Sequence, residues 1–265
     1  MMEILLSLIS IFPVSFLTYS LSERAIARHE SRVGKQITLP RFIWQTWVDT
    51  WLDIRSLRPT WLWAVYFCEL SIVFVYGVNA EYLVFPYLAL NGFLRGILSR
   101  YQGEVLERID SDRKQVSFAV ASVIAGLCLL GAFTLSRTTH LAQMVWTPGH
   151  LAFLIPFQLS GMILFEEHPF SAFRERRSWI ESARFYAWTM LATRIFLGGG
   201  EWFIDFHLKV ALVYGFSRLF AIYFPRFRQK DLLRLSILYL FPVTGVVWLV
   251  SMLLFALISG GVSNV

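Results

Sequence analysis

Charge is scarce in this chain. Of its 265 residues only 16% are charged and 56% are apolar, whereas a soluble domain carries about 25% charged residues. Cysteine is scarcer still. Cys68 and Cys128 are the only two, too few for a disulfide framework, and each falls inside an apolar stretch where a thiol packs as a small apolar group. No C-x-x-C, H-E-x-x-H, G-x-G-x-x-G or phosphate-loop pattern occurs, and His29, His140, His150, His168 and His207 are scattered. The sequence therefore offers no clustered set for zinc, iron–sulfur or haem, and no redox centre of its own. A basic leader is also missing. The one charge before Ser22 is Glu3 and the first arginine is Arg24, which reads as a retained anchor with its N-terminus outside.

What is present is apolar sequence in blocks near twenty residues long, the length that crosses a bilayer core of about 30 Å. Eight such spans are expected, at about 2–20, 60–78, 81–99, 116–136, 149–166, 180–198, 202–223 and 235–258. The fold class is all-α, a polytopic membrane protein forming one membrane domain over 1–265. Its long connections, about 21–59, 100–115, 167–179 and 224–234, alternate with short ones. The net charge of +6 has an uneven distribution. Twenty of the 24 Lys and Arg residues fall in or beside the four long connections, and Arg137 is the only one in the others. The positive-inside rule then puts the long connections in the cytoplasm or its equivalent and both termini outside; a plasma (inner) membrane of bacterial type is the expected location. The same distribution accounts for the basic charge without a nucleic-acid partner.

Within the first connection, residues 41–56 have helical period. Trp44, Trp47, Val48, Trp51 and Leu52 share one face, and Gln45, Thr46, Asp49, Thr50 and Asp53 the other. That pattern predicts a helix lying in the membrane interface, either a plain anchor or the rim of a surface cavity. Inside the spans, Glu69, Arg95, Arg194, Asp205, His207, Lys209 and the span-end Arg218 are ionisable, which is costly in a bilayer and marks candidate sites. Asp205 and Lys209 are four apart on one helix and able to pair, while His207 lies off that line. They suit either interhelical packing or a relay of protons. Pro156 and Pro242 are each placed to kink a span.

Several stretches resemble a known family. Glu23-Arg24, Ala27-Arg28 and Arg32-Val33-Gly34, followed by Gln45 and Asp49, resemble its first cytoplasmic loop. Arg95 with Glu104 has the spacing of an Arg and a Glu in the family's next cytoplasmic loop. Glu166-Glu167-His168-Pro169-Phe170 resembles A-E-T-N-R-x-P-F-D, and Phe196-Leu197-Gly198-Gly199 matches F-L-G-G, with Lys209 near the family's L-K. Tyr223-Phe224-Pro225-Arg226-Phe227-Arg228 with Leu232, Arg234 and Leu235 resembles F-P-R-Y-R-x-D-x-L-M-R-L, and Pro242 follows as it does there. The family is that of mitochondrial NADH dehydrogenase subunit 1 and its counterpart in bacterial complex I. It includes the related membrane subunits of formate hydrogenlyase and other energy-converting hydrogenases. The likeness runs in chain order over about residues 20–245.

The resemblance implies a junction subunit without chemistry of its own. Cytoplasmic loops would dock hydrophilic redox subunits carrying iron–sulfur, and in hydrogenase-like members nickel–iron, centres. The spans would face antiporter-like membrane subunits. Glu69, Glu104, Glu166, Glu167, Asp205 and Lys209 become candidates for proton transfer or coupling. Glu23, Arg24, Arg28, Arg32, Gln45, Asp49, Arg174, Arg176, Arg177, Arg226 and Arg228 become candidates for a cavity rim or for docking. The chain departs from the pattern at Lys35-Gln36, where the family has Pro-Asn, and at Thr46, where Pro is usual. Where the family carries an acidic loop, this chain has Ser171-Ala172-Phe173-Arg174-Glu175-Arg176-Arg177. Reversing the charge there counts against quinone as a ligand, because cations favour the ionised form of nearby carboxylates. The rival reading is a stand-alone transporter or channel, for which no internal repeat is visible. A membrane-embedded lipid-modifying enzyme would need a His/Asp/Glu cluster at one depth, and none is apparent.

Overall fold

The computed structural model describes residues 14, 16–21, 44, 47–48, 105–138, 144–164, 179–199, 203–223, 231 and 234–262. Every regular element among them is helical. In chain order they are α1 (Val105–Ser136), a three-ten turn at Pro148–His150 leading into α2 (Leu151–Leu164), α3 (Trp179–Phe196), α4 (Phe203–Tyr223), and a π turn at Ser236–Leu240 leading into α5 (Phe241–Val262). These correspond to the fourth to eighth expected spans. Residues 14 and 16–21 of the first span are helical as well, and the second and third spans lie outside the described residues.

One boundary needs correcting. The second long connection was expected to run to 115, but α1 already begins at Val105. Hydropathy marks where a helix crosses apolar medium, not where it starts. Glu107, Arg108, Asp110, Asp112, Arg113 and Lys114 are charged yet lie in the helix. At 1.5 Å per residue, 32 residues span about 48 Å, well beyond the hydrocarbon core. The apolar part, Gln115–Ser136, is the segment of bilayer length.

Among the described residues two helices are long and apolar enough to cross a membrane, Gln115–Ser136 and Ser236–Leu254, with a shorter apolar one at Pro148–Leu164. The other two carry more charge: Glu181, Arg184 and Arg194 on α3, and Asp205, Lys209 and Arg218 on α4. Arg218 therefore does not belong to the connection after α4. It lies within the helix and is buried, 5.6 Å above the Tyr19 ring.

α2 is the shortest helix and the central one. It packs against α1, α3, α4 and α5, and α5 closes the bundle against α1. Phe153 and Phe157 of α2, Phe185, Trp188 and Phe196 of α3, and Tyr214 of α4 fill the centre, with Cys128 buried as a free thiol on α1. The outer faces are apolar too. On α4, Ile204, Leu208, Leu212, Phe216 and Leu219 recur every three or four residues and are all exposed. Such a stripe is unfavourable in water and at ease against lipid or another membrane chain. Trp44, Trp47 and Val48 are helical and exposed, and the Trp47 ring meets Phe16 edge-on at 6.3 Å. Three positions of the expected helix over 41–56 are thus helical, with Trp47 against the first span.

Pro242 explains the π turn. Its missing N–H removes a donor at the start of α5, and the preceding turn widens to Ser236–Leu240. Thr244 Oγ1 donates to the Leu240 carbonyl at 2.7 Å and ties the turn to the helix that follows.

Candidate functional site

Two of the short, cation-poor connections meet at one end of the bundle. Trp146 Nε1, from the connection between α1 and α2, donates to the Phe196 carbonyl at the end of α3 at 2.6 Å. The chain then reverses through Gly198 and Gly199 at φ +73° and +67°. Only glycine takes such angles without a Cβ penalty. The chain turns at these glycines, and the Gly199 N–H returns to the Thr193 carbonyl at 3.2 Å.

This turn brings the expected ion pair to a defined place. Lys209 Nζ lies 2.9 Å from Asp205 Oδ2, and it donates to the Gly199 carbonyl at 2.9 Å. Arg194 folds over the same glycine, where an added Cβ would stand 2.6 Å from its Nη1. Asp205 and Lys209 are not in mid-span. They sit in the first two turns of α4 with side chains 44% and 38% exposed. In that setting the ion pair itself contributes little, and the charged bond to a carbonyl contributes more. Lys209→Met is expected to cost about 1 kcal/mol, read as a lower thermal midpoint of the detergent-solubilised protein, and Asp205→Asn less. Equal losses would mean that the lysine does not hold the turn.

Beside this end, the buried His150 joins α2 to α1. Its Nδ1 accepts the Thr147 backbone N–H at 3.0 Å. Its Nε2 lies 2.8 Å from Ser136 Oγ, which donates to the Ala132 carbonyl. With the serine proton committed, the ring donates through Nε2. Deeper in, Tyr186 Oη of α3 and His207 Nδ1 of α4 stand 3.3 Å apart, both buried. Between α2 and α3, Gln158 Nε2 donates to Thr189 Oγ1 at 2.8 Å. Thr189 Oγ1 donates to the Phe185 carbonyl, and Thr193 Oγ1 to the Thr189 carbonyl. Among the described residues no three His, Cys, Asp or Glu side chains group as a metal site.

Of the expected site residues, then, Asp205 and Lys209 are brought together, with Arg194 beside them. Glu69, Glu104, Glu166 and Glu167 lie outside the residues whose side chains are described, as do Glu23, Arg24, Arg28, Arg32, Gln45, Asp49, Arg174, Arg176, Arg177, Arg226 and Arg228. Sequence reasoning missed the polar line Gln158–Thr189–Thr193 because it weighed ionisable groups only. An isolated Gln in an apolar segment was the available signal. It also gave His207 no partner, since Tyr186 comes from another helix.

Such an arrangement defines a class: a helical membrane bundle with an aromatic core, a few buried polar pairs and a braced end. No family model matches the chain, and no curated protein matches it in sequence. Among solved structures it is similar to a chain of the membrane-bound sulfane sulfur reductase, an archaeal respiratory membrane complex. The TM-score is 0.68 over 94% of this chain and 98% of that one, at 17% identity. At that identity the likeness is one of fold, and it extends over nearly the whole of both chains.

Proposed function

We propose that the chain is a membrane subunit of an energy-converting respiratory assembly, of the complex-I-like or hydrogenase-like kind. It sits at the junction where a peripheral redox arm docks, and it couples that arm to movement of protons or sodium. The observation that carries this reading is the fold likeness to a chain of a respiratory membrane complex, end to end. The ordered motif resemblance to the NADH dehydrogenase subunit 1 family points the same way.

In this reading the chain has eight spans and an interfacial helix, and both termini face outside. It binds no cofactor, and iron–sulfur or nickel–iron centres belong to hydrophilic partners on the cytoplasmic side. Antiporter-like chains flank it in the membrane, against faces such as the apolar stripe of α4. Glu69, Glu104, Glu166, Glu167, Asp205 and Lys209 carry the coupling. Arginines of the long connections meet partner carboxylates, a pairing that the guanidinium fork favours.

The test is purification of the tagged chain in mild detergent, with mass spectrometry and iron analysis of what accompanies it. Iron–sulfur subunits together with antiporter-like subunits are expected. A monomer or homo-oligomer without iron would overturn the proposal in favour of a stand-alone transporter.

A further inference from the structure

Gln158 lies at the middle of α2, the helix in contact with all four others, and only 6% of it is exposed. Its amide nitrogen donates to Thr189 Oγ1 at 2.8 Å, but its Oε1 has no hydrogen-bond partner among the described residues. A buried amide oxygen left so costs free energy, the more so in an apolar medium. Turning the amide over does not remove the difficulty. Oε1 would then face Thr189, and the amide nitrogen, with two protons, would be stranded instead. The Thr189 hydroxyl proton already goes to the Phe185 carbonyl at 2.9 Å, and the Thr193 hydroxyl to the Thr189 carbonyl at 2.8 Å. Ser160, on the same helix, gives its proton to the Phe157 carbonyl at 2.7 Å. Each of these three hydroxyls has therefore spent its one donor within its own helix, while Thr189 Oγ1 keeps a second lone pair.

We propose that Gln158 and Thr189 form an internal water site between α2 and α3. The occupant must donate to Oε1 and accept or donate a further bond. Water meets those demands, giving one proton to Oε1 and the other to the free lone pair of Thr189 Oγ1. A bare cation does not. Sodium or calcium would call for several oxygens, and no carboxylate is placed among the described side chains here to offset its charge. The site depends on this chain alone and stands whether or not the chain serves a respiratory assembly.

The experiment is an experimental map of the full assembly as purified, at a resolution where ordered waters are seen. A single peak about 2.7–3.2 Å from Gln158 Oε1 and from Thr189 Oγ1 is expected. The same map of Gln158→Leu should lose the peak and keep the helix positions, since Leu removes the amide without changing much volume. A direct protein donor on Oε1 would overturn the proposal, as would a site without density. So would a peak with several oxygens near 2.4 Å that is lost when sodium is exchanged for potassium. The wild-type map decides the matter even if the variant fails to assemble.

Discussion

Gly161→Leu will prevent this protein from accumulating as a folded, detergent-extractable species. The reason lies where α2 and α3 press together. A Cβ on Gly161 would stand 2.0 Å from Trp188 Nε1 and 2.3 Å from its Cδ1. Those atoms are not the loose end of a flexible side chain. Trp188 is fully buried, its ring lies parallel to Phe157 with centroids 4.3 Å apart, and its Nε1 reaches the Phe157 carbonyl at 3.4 Å. To clear a side chain the indole must leave the stack or the helices must separate. In a bilayer, helix association rests on close packing at small residues, so separation forfeits what holds the pair. Overpacking of this kind costs about 3 kcal/mol or more. The measurement is the folded fraction by gel filtration and the thermal midpoint of what remains. Gly161→Ala is the graded form, expected to fold with a lowered midpoint. Combined with Trp188→Leu, which clears the obstructing ring, its own cost should largely vanish, giving a double-mutant cycle far from additive. Additive losses would show that the two residues do not meet.

The sequence made the helical layers legible because a bilayer asks so little of a span beyond length and apolarity. The expected fourth to eighth segments coincide with α1 to α5 to within a few residues, except at Val105, where charged residues continue a helix that hydropathy cannot follow. The Asp205–Lys209 pair was legible for a different reason. It is local, fixed by four-residue spacing on one helix. What that pair holds was not legible. The Gly199 carbonyl comes to Lys209 only after a turn with two positive φ angles, and Trp146 reaches Phe196 across 50 residues of chain. The same holds for Tyr186 with His207 and Gln158 with Thr189, whose partners lie 21 and 31 residues apart. No periodicity encodes such pairs, because they are products of how helices cross. The depth of a charge was likewise hidden. Spacing alone placed Asp205 inside a span and Arg218 at its edge, whereas packing leaves the first half-exposed and buries the second.

The other large effect concerns assembly. Under the proposed function, reversing three charges, with Arg174→Glu, Arg176→Glu and Arg177→Glu together, is expected to strip the proposed redox arm from the purified assembly and leave the chain in its membrane. The three fall within four residues, in the stretch where the NADH dehydrogenase subunit 1 family carries an acidic loop. A loop that docks an acidic partner would carry this sign, and each guanidinium can make a paired bond to a carboxylate. Turning all three to Glu sets like charges against one another, and a single desolvated pair broken in this way costs about 2–5 kcal/mol. Iron recovered with the tagged chain should therefore fall by at least about tenfold, since 1.4 kcal/mol is already a factor of ten. Orientation in the membrane should survive. The cations of the other three long connections remain, and acidic residues weigh little in the positive-inside rule. The triple change to Gln should release less iron than the change to Glu, and high salt should weaken the wild-type association in the same sense. Unchanged iron in the Glu variant would mean that this loop faces no acidic partner. Docking would then have to rest on the other basic connections, with Arg226 and Arg228 the next pair to reverse.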